Sequence, residues 1–187
     1  MQMDTRETIM AVARKTVQTR GYSGLSFREL AKEVGIKSAS IHYHFPTKGD
    51  LGAALARRYT EDGVAYLQSL QAESDDPAHW LEGYAQIFRR ALLDDNRMCL
   101  CGIMAAEYDD LPVEVRNEVQ GFSDVNVRWL AAALAVARPQ LDEAQRQLQA
   151  QAIYAAIEGA QLIARGRGDI GVFDQTIEAY RSAGLLP

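Results

Sequence analysis

Between Ser26 and His44 two short amphipathic segments are joined by almost no linker, and that brevity limits the fold more than any other stretch of the chain. Ser26 followed by Glu29 is a capping box. Phe27, Leu30, Ala31 and Val34 recur at i, i+3, i+4 and i+7, the spacing of a helix with one apolar face. Gly35 supplies a left-handed stop. Only Ile36 and Lys37 then separate it from Ser38, which is placed to cap a third helix running to about His44. Two short helices so closely linked must cross steeply.

The remaining sequence continues in the same period. Asp4, with Glu7 three residues on, opens a first helix from about Thr5 to Arg20, with Ile9, Val12, Ala13 and Val17 on one face and Gly21 as its end. Pro46 closes the third helix. Thr47 with Asp50 opens a long fourth one that carries Leu51, Leu55, Tyr59 and Tyr66. Further helices are predicted at about 77–94, 100–109, 112–137, 142–166 and 172–183, with turn residues between them. No alternating run is long enough to argue for a sheet, so the chain reads as all-α with about nine helices. Composition shifts near residue 60 without a Gly/Ser linker. The expected organisation is a helical head over 1–50 and a larger helical body over 51–187, packed together through helix four.

The formal net charge of −5 hides an asymmetry. Residues 1–60 carry ten Lys/Arg against five Asp/Glu, and residues 61–187 carry ten against twenty, so the two parts stand at +5 and −10. A basic head on an acidic body suits a head that meets a polyanion. No apolar run approaches membrane-spanning length, since the longest, "WLAAALAVA", ends at Arg138, and the N-terminus shows no signal-type segment. The expectation is a cytoplasmic protein in which the two cysteines, Cys99 and Cys101, are thiols.

The stretch "SIHYHFPTKGDL" at 40–51 gathers the polar side chains that invite a chemical reading. His42 and His44 lie two apart, about 200° around a helix, so their rings diverge and chelation is disfavoured. No metal or cofactor is expected. Ile41 and Phe45 are four apart and must face inward, which turns Ala39, Ser40, His42 and Tyr43 outward onto a convex surface. A catalytic group needs convergence on a pocket, so no catalytic residue is assigned. A steeply held short helix with an outward polar face does fit a duplex major groove, about 12 Å wide. Ser38, Ala39 and Ser40 permit close approach, and His42, Tyr43 and His44 can reach bases, sugar or phosphate. Arg28, Lys37, Thr47 and Lys48 are phosphate candidates, with Lys48 beside the exposed amides of a helix start.

Over residues 21–51, "GYSGLSFRELAKEVGIKSASIHYHFPTKGDL" resembles the tetracycline-repressor (TetR/AcrR) family of transcription regulators. One departure is His42 at an outward position that the family usually fills with tyrosine, with Tyr43 next to it. The resemblance implies a homodimer whose two recognition helices enter successive major grooves of a palindromic double-stranded DNA site, about 34 Å apart. It also implies a small-molecule effector pocket in the C-terminal region, coupled to that spacing.

In the body, the small residues Ala155, Ala156, Gly159 and Ala160 and the last helix's Ile177 and Tyr180 suggest that the last two helices form the dimer face. The alternative is intramolecular core. Tyr66, Tyr84, Phe88, Met104, Phe122 and Tyr154, joined by Trp80 and Trp129, are the candidate pocket wall, with Asn126 and Glu158 as polar groups able to orient a ligand. Each could instead be plain core. Cys99 and Cys101 diverge if helical, so a bridge between them is disfavoured. A helix start and Arg97 could activate one of them as a sensor of oxidants or electrophiles, the alternative being two small buried apolar residues. The resulting expectation is a non-enzymatic regulator, more a repressor than an activator, released by a ligand or by thiol modification. The alternative is a helical small-molecule-binding protein without sequence-specific DNA binding.

Overall fold

The computed structural model describes residues 4–186. The elements are α1 (Thr5–Arg20), α2 (Phe27–Val34), α3 (Ser38–His44), α4 (Lys48–Glu73), α5 (Pro77–Leu93), α6 (Leu100–Ala105), a 3₁₀ turn at Tyr108–Asp110, α7 (Val113–Ala137), α8 (Glu143–Arg167) and α9 (Ile170–Ser182). No strand occurs among the described residues, and no described helix is long and apolar enough to cross a membrane.

Most boundaries follow from caps legible in the sequence. The Asp4 carboxylate accepts from Arg6 N, the Ser26 hydroxyl accepts from Glu29 N, and Gly35 ends α2 at φ 77°, ψ 31°, a conformation that side-chain-bearing residues resist. Asp142 and Gln145 close a full capping box on α8. The start of α3 differs from expectation. Lys37, not Ser38, holds the cap position, and it does so without a side-chain bond, because an ammonium has no acceptor to offer the first-turn amides; the Lys37 carbonyl accepts from Ser40 N at 2.9 Å. Ser38 is therefore the first residue inside the helix, with its side chain exposed.

The chain divides into two compact units. One comprises the chain through Thr60 together with Leu100–Phe122; the other comprises Glu61–Cys99 and the chain from Ser123 onward. Both α4 and α7 therefore contribute residues to each unit. In the first unit α1 packs on α2, α3 and α6, and α2 packs on α3. Ile9, Ala13 and Val17 of α1 and Leu51 and Ala56 of α4 are fully buried there. In the second unit α8 packs on α5 and α9, and α5 packs on α9. Ile153, Ile157 and Ala160 of α8 and Phe173 and Ile177 of α9 are core there. Ile177 and Ala160 therefore serve the interior of the second unit, which removes them from the expected dimer face.

The predicted helix 100–109 is instead the short α6 followed by the 3₁₀ turn. The break lies at Glu107, whose carboxylate accepts backbone N–H bonds from Tyr22 and Ser23, the latter at 3.2 Å. Those two amides follow Gly21, which sits at φ 78° with the Glu107 carboxyl where a Cβ would lie. A carboxylate accepting two backbone donors is a strong contact, about 1.5–3 kcal/mol for a hydrogen bond to a charged group. Replacing Glu107 by Ala is expected to lower unfolding free energy in urea by about 2 kcal/mol, with Glu107→Gln intermediate; equal stability of all three proteins would show that the turn is held elsewhere.

Candidate nucleic-acid interface and effector site

Helix α3 has seven residues, too few to persist alone in water, so packing must hold it. Ile41 is 0% exposed and Phe45 2%, and between them they fix which face looks outward. On that outer face Tyr43 is 84% exposed, while Lys37, Ser38, Ala39 and His42 are also exposed and Ser40 and His44 are half-buried. The His42 ring makes an edge contact with Phe27 at 4.8 Å, and its Nδ1 lies 3.2 Å from the Pro46 carbonyl. His42 is thus braced, whereas Tyr43, touching His44 edge-on at 5.2 Å, is the projecting side chain.

The expected phosphate candidates divide. Arg28, Lys37 and Thr47 are exposed around α3. Lys48 is half-buried, its Nζ donating to the Ser23 carbonyl at 3.4 Å and lying 4.5 Å from the centre of the Tyr22 ring. Burial pushes its pKa down, partly opposed by Glu107 and Asp110. At the start of α4, Thr47 Oγ1 accepts from Asp50 N at 3.0 Å, and Asp50 Oδ2 accepts from Thr47 N at 3.0 Å. That end is capped by its own side chains. The basic excess of the head is also partly internal. Arg58 forms a two-pronged pair with Glu7 at 2.9 and 3.1 Å, Arg57 pairs with Glu118, Arg14 lies 4.7 Å from the centre of the Tyr59 ring and Arg6 4.9 Å from that of Phe45. Charge counting alone could not separate these arginines from Arg28 and Lys37.

The pocket candidates are divided between the units. Met104 and Phe122 belong to the first, where Met104 is fully buried and Phe122 meets Tyr59 at 5.4 Å. Tyr66, half-buried in the second unit, lies under the Arg90 guanidinium at 5.0 Å. Tyr84, Phe88, Asn126, Tyr154 and Glu158 converge. Tyr84 is fully buried, donates to Asn126 Oδ1 at 3.0 Å, stacks on Trp129 at 5.5 Å and tilts against Phe88 at 5.5 Å. Burial, with Tyr154, Glu158 and Cys99 nearby, holds its phenol well above the usual range.

Glu158 is the unusual group of this cluster. Burial pushes its pKa up from 4.5 to about 7, against hydrogen bonds from Cys99 and Tyr154 that pull the other way. Its Oε1 is shut off from solvent and accepts no hydrogen bond. Cys99 and Cys101 are each 1% exposed and unbridged. Arg97 pairs with Asp94 at 2.7 Å, so its charge is already engaged. Gln161, which the sequence did not single out, is fully buried and locks the cluster: its Oε1 accepts from Cys99 N at 2.9 Å and its Nε2 donates to the Phe88 carbonyl at 2.8 Å. Beside Tyr154 a cleft of about 340 Å³ opens between α7 and α8, lined on the α7 side by Ser123, Asp124, Val127 and Arg128.

A short helix clamped by two apolar anchors, with a bare polar face and a three-residue turn behind it, defines a helix-turn-helix protein. The sequence pattern of the bacterial regulatory proteins of the tetR family matches residues 9–55. A solved TetR transcriptional regulator from Legionella pneumophila superposes with a TM-score of 0.90 at 30% identity, over 97% of this chain and 98% of that one. The class C tetracycline repressor of Escherichia coli is 33% identical over 88 residues, 47% of this chain and 39% of that repressor's length. The transcriptional repressor NemR of Escherichia coli is 27% identical over 87% of this chain and 84% of NemR. The chain belongs to the TetR family of bacterial regulatory proteins, whose members are transcription regulators and not enzymes.

The Glu158 setting has a direct stability consequence. Because its folded pKa of about 7 lies above its ordinary 4.5, the folded chain binds the proton more tightly; that contribution is complete below 4.5 and is lost as pH rises through 7. Glu158→Gln, which keeps the neutral shape, is expected to raise Tm over the parent at about pH 8, by up to about 3 kcal/mol of stability, with the gain shrinking towards about pH 5. A gain that does not change with pH would show that the carboxyl does not titrate in this window.

Proposed function

We propose that the chain is a homodimeric repressor that places α3 of each protomer in the major groove of a palindromic operator and is released when a small effector occupies the second unit. The observation that carries this reading is the exposed face of α3, led by Tyr43, over the buried pair Ile41 and Phe45. Tyr43, Ser38, Ala39 and Ser40 approach the bases, with His42 and His44 at their flank. Arg28, Lys37 and Thr47 meet phosphates, and Lys48 joins them from its half-buried seat. The functional division is 1–50 for DNA and 51–187 for effector and dimer.

The dimer face is supported by a stripe on α8. Leu148, Ala152, Ala155 and Leu162 are exposed, Gly159 between them is half-buried, and a Cβ built on Gly159 would meet nothing within 4 Å. Small and apolar residues so spaced let two helices approach closely. Tyr180 of α9, half-buried, flanks it. Cytoplasmic action follows from a role on DNA.

An effector that binds better when the two α3 helices are badly spaced must weaken DNA binding by the same coupling energy, about 1–3 kcal/mol. Helix α4, which like α7 contributes residues to both units, is the proposed lever between them. Thiol modification is a second release route, because an adduct on Cys99 would break its bond to Glu158 inside the effector cluster. Treatment with N-ethylmaleimide is expected to lower operator affinity in the parent but not in a Cys99→Ser, Cys101→Ser double variant; an equal response of the two proteins would remove the thiol route.

The regulator reading is tested by selecting duplexes from a random library at physiological salt, with the parent and with Tyr43→Ala. Enrichment of one palindrome, weakened at least tenfold by the substitution, about 1.4 kcal/mol, is the expected result. No enrichment would favour a ligand-binding protein that reads no DNA sequence.

A further inference from the structure

Beside its buried apolar face, α8 carries a second stripe at helical spacing. Gln147, Gln151, Tyr154, Glu158 and Gln161 follow at intervals of four, three, four and three residues, which sets them on one side of the helix. Burial increases along the stripe. Gln147 and Gln151 are exposed, Tyr154 and Glu158 half-buried, and Gln161 fully buried. Polar side chains carried inward on a helix cost free energy unless each finds a partner. Gln161 has its two partners, and Tyr154 and Cys99 serve the Glu158 carboxyl. The exception is Glu158 Oε1, an acceptor sealed from solvent with no donor.

The outer members of the stripe are walls of the cleft: Gln147, Gln151 and Tyr154 line it from α8. Tyr154 therefore lines the open volume and also hydrogen-bonds the Glu158 carboxyl behind it. One helix face leads from the surface to a buried acceptor that lacks a hydrogen bond.

We propose that this stripe recognises an amine: a small organic cation whose body fills the cleft against Tyr154 and whose ammonium donates to Glu158 Oε1. The inference rests on reading the second unit as the effector-binding part. Two features favour a cationic head over other donors. A buried carboxylate held only by two neutral donors lacks a counter-charge, and an ammonium supplies donor and charge together. A hydroxyl supplies the donor alone, and an anionic head adds repulsion. The cleft mouth carries Asp124 and Arg128, one charge of each sign, so selection by charge falls to the buried end.

The test uses the full chain and three probes that share an indole ring and a two-carbon arm: tryptamine, tryptophol and indole-3-propionate. Calorimetry at mildly alkaline pH, where the Glu158 carboxyl is ionised, reads their affinities. Tryptamine is expected to bind about tenfold more tightly than tryptophol, and indole-3-propionate more weakly than either. Glu158→Gln should bring tryptamine down to the tryptophol level, with helical circular dichroism and a cooperative thermal transition showing that the variant folds. Equal affinity for the three heads, no binding of tryptamine at millimolar concentration, or tryptamine binding unchanged by Glu158→Gln would each overturn the proposal. If operator binding persists in any of those cases, only the effector class is wrong; if no operator is bound at all, the regulator reading fails instead.

Discussion

The burial of Ile41 and Phe45 is the contact on which the exposed face of α3, proposed above to meet DNA, depends. A seven-residue helix has no stability of its own, so the direction of Tyr43 is a property of the core beneath it. Phe27 and the Pro46 carbonyl then hold His42 from two sides, which leaves Tyr43 as the projecting group on a braced platform. Rigid placement of this kind lets a few side chains discriminate among bases, because little ordering entropy remains to be lost on docking.

The two units solve opposite problems with polar residues. In the first, polar side chains are turned outward onto a convex helix while the half-buried arginines Arg58 and Arg14 tie α1 to α4. In the second, polar groups are taken inside: Tyr84 with Asn126, Gln161 with Cys99 and Phe88, Glu158 with Tyr154. A buried polar network that is complete favours one rigid arrangement, whereas an incomplete one leaves binding energy for a visitor. Glu158 Oε1 is the incomplete point. Its elevated pKa and its lack of a donor have the same origin, a carboxyl taken from water without full compensation.

What the sequence made legible was what depends on near neighbours. The caps at Asp4, Ser26 and Asp142, the stop at Gly35 and the inward pair Ile41 and Phe45 all use partners within a few residues, and they place the helix-turn-helix correctly. The helix expected at 100–109 breaks instead because Glu107 is committed to Tyr22 and Ser23, some 85 positions away, and no local pattern announces that. Convergence in the second unit was partly legible: Tyr84, Phe88, Asn126, Tyr154 and Glu158 do gather, whereas Met104 and Phe122 belong to the other unit's core. Apolar type reports burial and does not report which pocket a residue faces. The overlooked Gln161 did leave a signal, since it continues the polar stripe of α8 by one more turn into sequence that is otherwise apolar.

Operator recognition depends on how two copies of α3 meet a duplex. Hydroxyl-radical footprinting of the protein on its enriched operator measures this directly. The account predicts two protected patches on one face of the duplex, centred about one helical turn, or 34 Å, apart. A single patch, or protection without that spacing, would contradict a paired helix-turn-helix reader.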